Sequence, residues 1–121
     1  VGNDLFEGAK SIHRILCPSK SAFDRYDEIL KTAKDVIPQD IDTLVLLALG
    51  MTATVLASDL SRAGYQAIDI GHLDVEYEWM RMGTKKKVAI PTRFVNEANN
   101  YDEVKDCRDK EYQQQVIKRI V

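Results

Sequence analysis

Cysteine is scarce in this chain of 121 residues: Cys17 and Cys107 stand alone and far apart. Two thiols at that separation match no zinc or redox spacing. They are expected to be free thiols of a cytoplasmic protein, with Cys17 packed as a small hydrophobe. No long apolar run is present; the longest, Leu44 to Leu49, has the length of a strand and excludes a membrane span. There is no signal-peptide pattern. An excess of either charge is missing too. The net charge of −2 offers no general attraction to nucleic acid or to an anionic membrane, and the tyrosines and the single tryptophan form no base-stacking platform. Neither a Walker loop nor a GxGxxG turn occurs, and there is no internal repeat or low-complexity segment. The initiator methionine is absent as well, which points to a fragment or a processed protein. The length suits one domain with a real core, although it is short for a complete α/β enzyme.

What is present is a series of strand and helix units. Residues 3–10 are expected to form a short helix capped by Asn3 or Asp4. Ser11 to Cys17 reads as a strand that stops at Pro18. Ser21 is placed to cap a helix from Ala22 to Val36, where Phe23, Tyr26, Ile29, Leu30 and Ala33 recur at helical spacing. Thr43 to Leu49 is apolar without alternation, the pattern of a strand covered on both faces. A helix is predicted from Thr52 to Ala63, with Gly64 stopping it, and a third strand from Ala67 to Ile70. Asp74 is placed to cap a helix through Met82, stopped by Gly83. Val88 to Val95 reads as an extended edge interrupted by Pro91, residues 96–108 as a polar loop, and Glu111 to Ile120 as a terminal helix. Strands alternating with helices over short connections predict an α/β fold: a Rossmann-like parallel sheet of at least three strands flanked by helices, as part of a domain. So narrow a sheet leaves edges that a second copy could cover, which makes a homo-oligomer an expectation.

The polar residues collect where the predicted strands end. His72, Asp74, Glu76 and Glu78 lie within seven positions of the third strand's exit, and open α/β folds bind ligands at that end. Spacing leaves two readings open. One is ordinary helix capping with acidic first-turn residues, each contributing about 0.3–1 kcal/mol through the helix dipole. The other is a divalent-metal ligand beside a general base. The turn Gly50-Met51-Thr52-Ala53-Thr54 is either a capped strand-to-helix turn or a diphosphate site built from free N–H groups and hydroxyls. The turn from Cys17 to Phe23, with Pro18, either starts a helix or offers Phe23 to a base or sugar. Lys85, Lys86 and Lys87 are a solvated turn or the neutraliser of a leaving phosphate. His13 reads as structural.

Taken in order, several blocks resemble one family. They are Gly2-Asn3-Asp4-Leu5-Phe6; Ile15-Leu16-Cys17-Pro18 with Ala22-Phe23 and Tyr26 to Leu30; Leu47 to Gly50 with Thr52 to Ala57; and Gly64 to His72 on through Trp79. The family is that of GT-D-type glycosyltransferases, once catalogued as a domain of unknown function in bacterial glycan clusters, and the likeness runs from Val1 to Glu97. It implies a Rossmann-like fold and transfer of a sugar from a nucleotide diphosphate donor, typically UDP-linked, to a glycan or glycoprotein acceptor with a divalent metal, Mn²⁺ or Mg²⁺. It implies Glu78, and less directly Glu76, as acidic residues acting in catalysis, His72 on the metal or the diphosphate, and the turn at Thr52 close to the nucleotide. Together with the readings of the residues above, Asp74 is a second metal candidate, and Asn3, Asp4, Pro18, Phe23, Gly50, Thr52, Thr54 and Lys86 are the candidate nucleotide-sugar surface. Residues 1–97 would be the C-terminal part of such a domain, and 98–121 its polar loop and terminal helix. The chain departs from the family in having no Asp-Gly-Glu segment. It is therefore expected to be the C-terminal half alone, inactive and unable to complete a metal site by itself. Ser21 stands where Asn is common and Met51 where Pro is common. Two other readings compete: a non-catalytic nucleotide-binding or interaction module, and a methyltransferase-like enzyme, which the non-glycine turn at Pro18-Ser19-Lys20 disfavours.

Overall fold

The apolar run after Thr43 forms β2 (Leu44–Leu47), and its partner β3 (Gln66–Asp69) runs parallel to it, Leu44 opposite Gln66 and Leu47 opposite Asp69. Parallel neighbours need a crossover, and α2 (Met51–Arg62) supplies it. The computed structural model describes residues 4–85, 90, 92 and 107–121. The remaining elements are β1 (Arg14–Leu16), a single 3-10 turn (Ala22–Arg25) leading into α1 (Tyr26–Val36), α3 (Leu73–Met82), α4 (Lys110–Gln115) and β4 (Val116–Arg119).

One cluster joins α1, α2 and the strands. Ile29 and Ala33 of α1 meet Ala53, Leu56 and Leu60 of α2, with Ala22, Leu47 and Ile120 completing it. Ile15, Cys17, Val45 and Ala67 pack against it from the strands. Full burial of each large aliphatic side chain contributes about 1.5–3 kcal/mol, so Leu56 and Leu60 make α2 the centre of the unit. Tyr26 donates a hydrogen bond to Asp59 and ties α1 to α2; burial, then that carboxylate, push its phenol up to about 12. Both Gly-ended helices close in the same way. Tyr65 N–H reaches the Leu60 carbonyl and Gly64 N–H reaches Ser61; Thr84 reaches Trp79 and Gly83 reaches Met80. This is the paired bond of a Schellman stop, with the glycines at φ 99° and 65°.

Several expectations need correction. The described strands do not join into one sheet of three or more. Among the described residues they form two parallel pairs, β2–β3 and β1–β4. β1 is shorter than the span Ser11 to Cys17 and pairs with β4, Arg14 opposite Val116 and Leu16 opposite Arg119. The terminal helix accordingly ends at Gln115. Val116 and Ile117 are β-branched and poor in a helix, and the strand carries Ile120 into the core. Residues 4–10 are turns and bends rather than a helix, with Glu7 N–H bonded to the Asp4 carbonyl and Ala9 to Phe6. Ser21 does not cap through its side chain. It sits at φ 52°, and side-chain capping needs an extended backbone at that position. Asp74 is not the cap either: α3 starts at Leu73 with His72 in the cap position. Of the extended segment Val88 to Val95, only Ile90, a single bridge residue, and Thr92 are described.

Candidate active site

The exits of β2 and β3 lie side by side because their ladder ends together at Leu47 and Asp69. After β2 the chain turns at Gly50, φ 57° and ψ −139°, a conformation essentially restricted to glycine. α2 then begins, and its first N–H groups have no acceptor within the helix. Thr52 is buried at 6% exposure, and Thr54 is exposed. After β3 the chain turns at Gly71, φ 58°, and presents His72 ahead of α3.

One side chain joins the two exits. Asp69, the last residue of β3, accepts from the Thr54 hydroxyl at 2.9 Å on one oxygen and from the Gly71 N–H at 2.9 Å on the other. The sequence reading passed over it. An aspartate two residues before a glycine is the signature of a side chain that bonds its own backbone two positions on, and that signal was available.

The acidic segment resolves as a helix. The His72 Nδ1 lies 3.6 Å from Glu76 Oε1, one turn along α3, and the His72 ring meets Trp79 edge-on at 6.1 Å. The Nδ1 atom and the Asp74 Oδ1 are shielded from solvent. Asp74 and Glu78 are half-buried and Glu76 is exposed, so the four polar groups do not share one face as they would on a strand. Val75 and Trp79 are the buried side of the helix. Among the described residues, no three histidine, cysteine or acidic side chains gather as a metal-ligand set.

The other candidate residues make contacts of their own. Asp4 lies against the side of α3, where it accepts from the Tyr77 hydroxyl at 2.5 Å and faces Arg81 at 3.6 Å. Phe23 is 58% exposed and stacks on Tyr26, with ring centroids 5.2 Å apart. Pro18 is half-buried in the turn after β1. Asn3 and Lys86 lie outside the described residues. Cys17 is a free thiol, packed on the core and pushed up to about 11 by burial, so it is no nucleophile at neutral pH.

Comparison with known proteins bears on the family and the fold. The chain is 43% identical over 121 residues to glycosyltransferase GlyD of Streptococcus pneumoniae serotype 4, covering all of this chain and 14% of that protein. It is 40% identical to a probable glycosyl transferase, Gly, of Streptococcus gordonii, covering 99% of this chain and 17% of that one. Two solved structures superpose with TM-scores of 0.85 and 0.86. The first is the domain of unknown function 1792, described as having a distinct glycosyltransferase fold, at 46% identity. The second is described as a new glycosyltransferase from Streptococcus sanguinis, at 39%. Each match covers 99% of this chain and 42% or 44% of the solved chain. The chain thus spans less than half of the solved relatives and about a sixth of the curated ones. The family profile described as the glycosyltransferase GT-D fold matches residues 1–98, and the chain belongs to that family.

Proposed function

We propose that this chain is the C-terminal part of a glycosyltransferase that moves a sugar from a nucleotide diphosphate donor, UDP-linked, to a glycan or glycoprotein acceptor. The observation that carries the reading is the family match over residues 1–98. The paired strand exits support it. The start of α2 offers N–H groups to a diphosphate, and the start of α3 brings an imidazole and carboxylates beside it.

In this reading the bond from the sugar's anomeric carbon to the diphosphate oxygen breaks, and a bond to the acceptor oxygen forms. Glu78 takes the acceptor hydroxyl proton, with Glu76 as the second candidate. The half-buried position of Glu78 suits a base better than the exposed Glu76. Phe23 and Asp4 would border the nucleotide-sugar, as would Asn3 and Lys86. A divalent cation, Mn²⁺ or Mg²⁺, would offset charge on the leaving diphosphate. His72 and Asp74 are not a sufficient ligand set, so they would hold it only with ligands from the rest of the longer domain. A cytoplasmic location fits the two free thiols.

The test uses the longer domain. Glu78→Gln is expected to keep UDP binding in calorimetry with Mn²⁺ and to lose sugar transfer. Unchanged turnover removes Glu78 from the role. UDP binding with no transfer by the unaltered protein would favour a binding module instead.

A further inference from the structure

We infer that Asp69 is a positioning residue that sets the His72 turn against the start of α2; the inference rests on the glycosyltransferase reading above. The carboxylate stands at the end of β3, where the two strand exits meet. Its two oxygens are divided between elements: one accepts from Thr54 in the first turn of α2, the other from the backbone of Gly71. Gly71 immediately precedes His72, and α3 begins one residue later. The bridge therefore spans the two parts that must act on one donor, the N–H groups that would receive its diphosphate and the helix that carries Glu76 and Glu78.

Among the described residues, the main cluster does not fix that spacing. α2 is anchored in the main cluster through Ala53, Leu56 and Leu60, whereas the buried residues of α3, Val75 and Trp79, lie outside it. The Gly71 turn has no side chain of its own, and a Cβ built there meets nothing within 4 Å. No side-chain contact at Gly71 itself holds the turn, and its backbone N–H is bonded to Asp69. The Ile70 N–H to the Leu47 carbonyl, at 2.9 Å, ends the ladder one residue earlier. Beyond it, the Leu73 N–H closes the turn on the Ile70 carbonyl at 3.2 Å, and Asp69 supplies the side-chain bonds that join the turn to α2. The bonds call for an acceptor facing Gly71 and a hydrogen-bonding atom facing Thr54. An amide meets both needs, because its oxygen accepts from Gly71 and its NH₂ donates to the Thr54 hydroxyl.

The experiment compares Asp69→Ala and Asp69→Asn in the longer domain, with UDP release from a panel of UDP-hexoses as the assay. Asp69→Ala is expected to lower kcat about 10²-fold while KM stays within about threefold, the mark of misplaced rather than missing contacts. Asp69→Asn is expected to restore most of kcat. A merely structural role would reduce the yield of folded protein and spare kcat per folded molecule. Full kcat in Asp69→Ala overturns the inference. So does an Asp69→Asn enzyme as impaired as the alanine variant, since the charge itself would then be needed. If Asp69→Ala does not fold, Thr54→Val takes its place, and an unaffected Thr54→Val enzyme overturns the inference. If the unaltered domain releases no UDP from any UDP-hexose, the glycosyltransferase reading falls. Asp69 is then judged by Gly71 amide exchange: faster in Asp69→Ala and restored in Asp69→Asn keeps the bridge, and unchanged exchange removes it.

Discussion

α2 turns Ala53, Leu56 and Leu60 into the main cluster, each at most 1% exposed, while α3 buries Val75 and Trp79 outside that cluster and leaves Leu73, Met80 and Met82 in solvent. The two helices are of similar length, 12 and 10 residues, and end in the same glycine stop. They differ in what holds them. α2 is fixed chiefly by apolar contact in the main cluster, with the Tyr26–Asp59 and Thr54–Asp69 hydrogen bonds added. α3 adds polar ties to its small buried footing: Asp69 to Gly71 ahead of its first turn, Asp4 to Tyr77 and Arg81 farther along. A helix held in that way can carry ionisable groups at a strand exit without placing charge in the core. In the proposed reading, stability and chemistry fall on different elements, and substitutions should separate them.

The sharpest separation pairs Glu78 with Leu60 in the longer domain. Glu78→Gln is expected to lower turnover about 10²–10⁴-fold and to leave the denaturant midpoint in place. Leu60→Ala is expected to cost about 2–5 kcal/mol of stability through the cavity it opens, with turnover per folded molecule unchanged. Denaturant unfolding and steady-state assays on both variants decide it. If Leu60→Ala spares stability, or Glu78→Gln lowers it by a comparable amount, the division between the helices is wrong.

The two glycine stops give a smaller contrast. Gly83 adopts φ 65° with open space where a Cβ would sit, so Gly83→Ala meets only the left-handed backbone penalty of about 1–2 kcal/mol. Gly64 adopts φ 99°, and its Cβ would stand 3.1 Å from the Gln39 Nε2. That same Gln39 amide donates to the Ala63 carbonyl at the end of α2. Gly64→Ala should therefore lose more stability than Gly83→Ala in parallel denaturant titrations. Equal losses would show that the stop of α2 is no more tightly built than that of α3.

The same contrast governs how much the sequence revealed. α2 itself was legible almost to the residue, because helical recurrence of Ala53, Leu56 and Leu60 and a glycine stop are local signals. The strand before it is shorter than Thr43 to Leu49, and Leu44 and Leu46 are exposed, so it is not covered on both faces as its apolar run suggested. The span of α3 was legible too, from its apolar side and Gly83. The partner of β1 was not. Glu111 to Gln115 is helical, and a reading along the chain continues that helix into Val116, while pairing with Arg14 joins residues about a hundred positions apart. No local period encodes such a contact. For the same reason the sheet was expected to have three strands when the described strands form two pairs. At the site, His72 and its acids stood out as a cluster of residue types. The hydrogen bond from Thr54 to Asp69 crosses 15 positions, and the contact of Tyr77 with Asp4 crosses 73. A cluster of polar residue types in one segment can be read from a sequence, whereas the bridges that join it to other elements depend on the fold.

The smallest expected effect concerns the tie between Asp4 and α3. Tyr77's hydroxyl donates to the Asp4 carboxylate, and with Arg81 beside it holds that carboxyl below the ordinary 3.8. The same bond raises the Tyr77 phenol above the ordinary 10. A carboxyl lowered by folding stabilises the folded state above 3.8 and loses that contribution as pH falls through its lower folded value. A phenol raised by folding stabilises it below 10 and loses the contribution as pH rises through its higher folded value. The contact should therefore hold across neutral pH and release at both extremes. Tyr77→Phe is expected to move the Asp4 carboxyl titration, followed by NMR, up toward 3.8, and Asp4→Asn to move the Tyr77 phenol titration down toward 10. Both groups reach solvent, so added salt should shrink the contribution from Arg81 and leave the Tyr77 hydrogen bond. If neither titration moves in these variants, α3 is not tied to the N-terminal segment through these groups, and its hold rests on Val75, Trp79 and the Asp69 bridge.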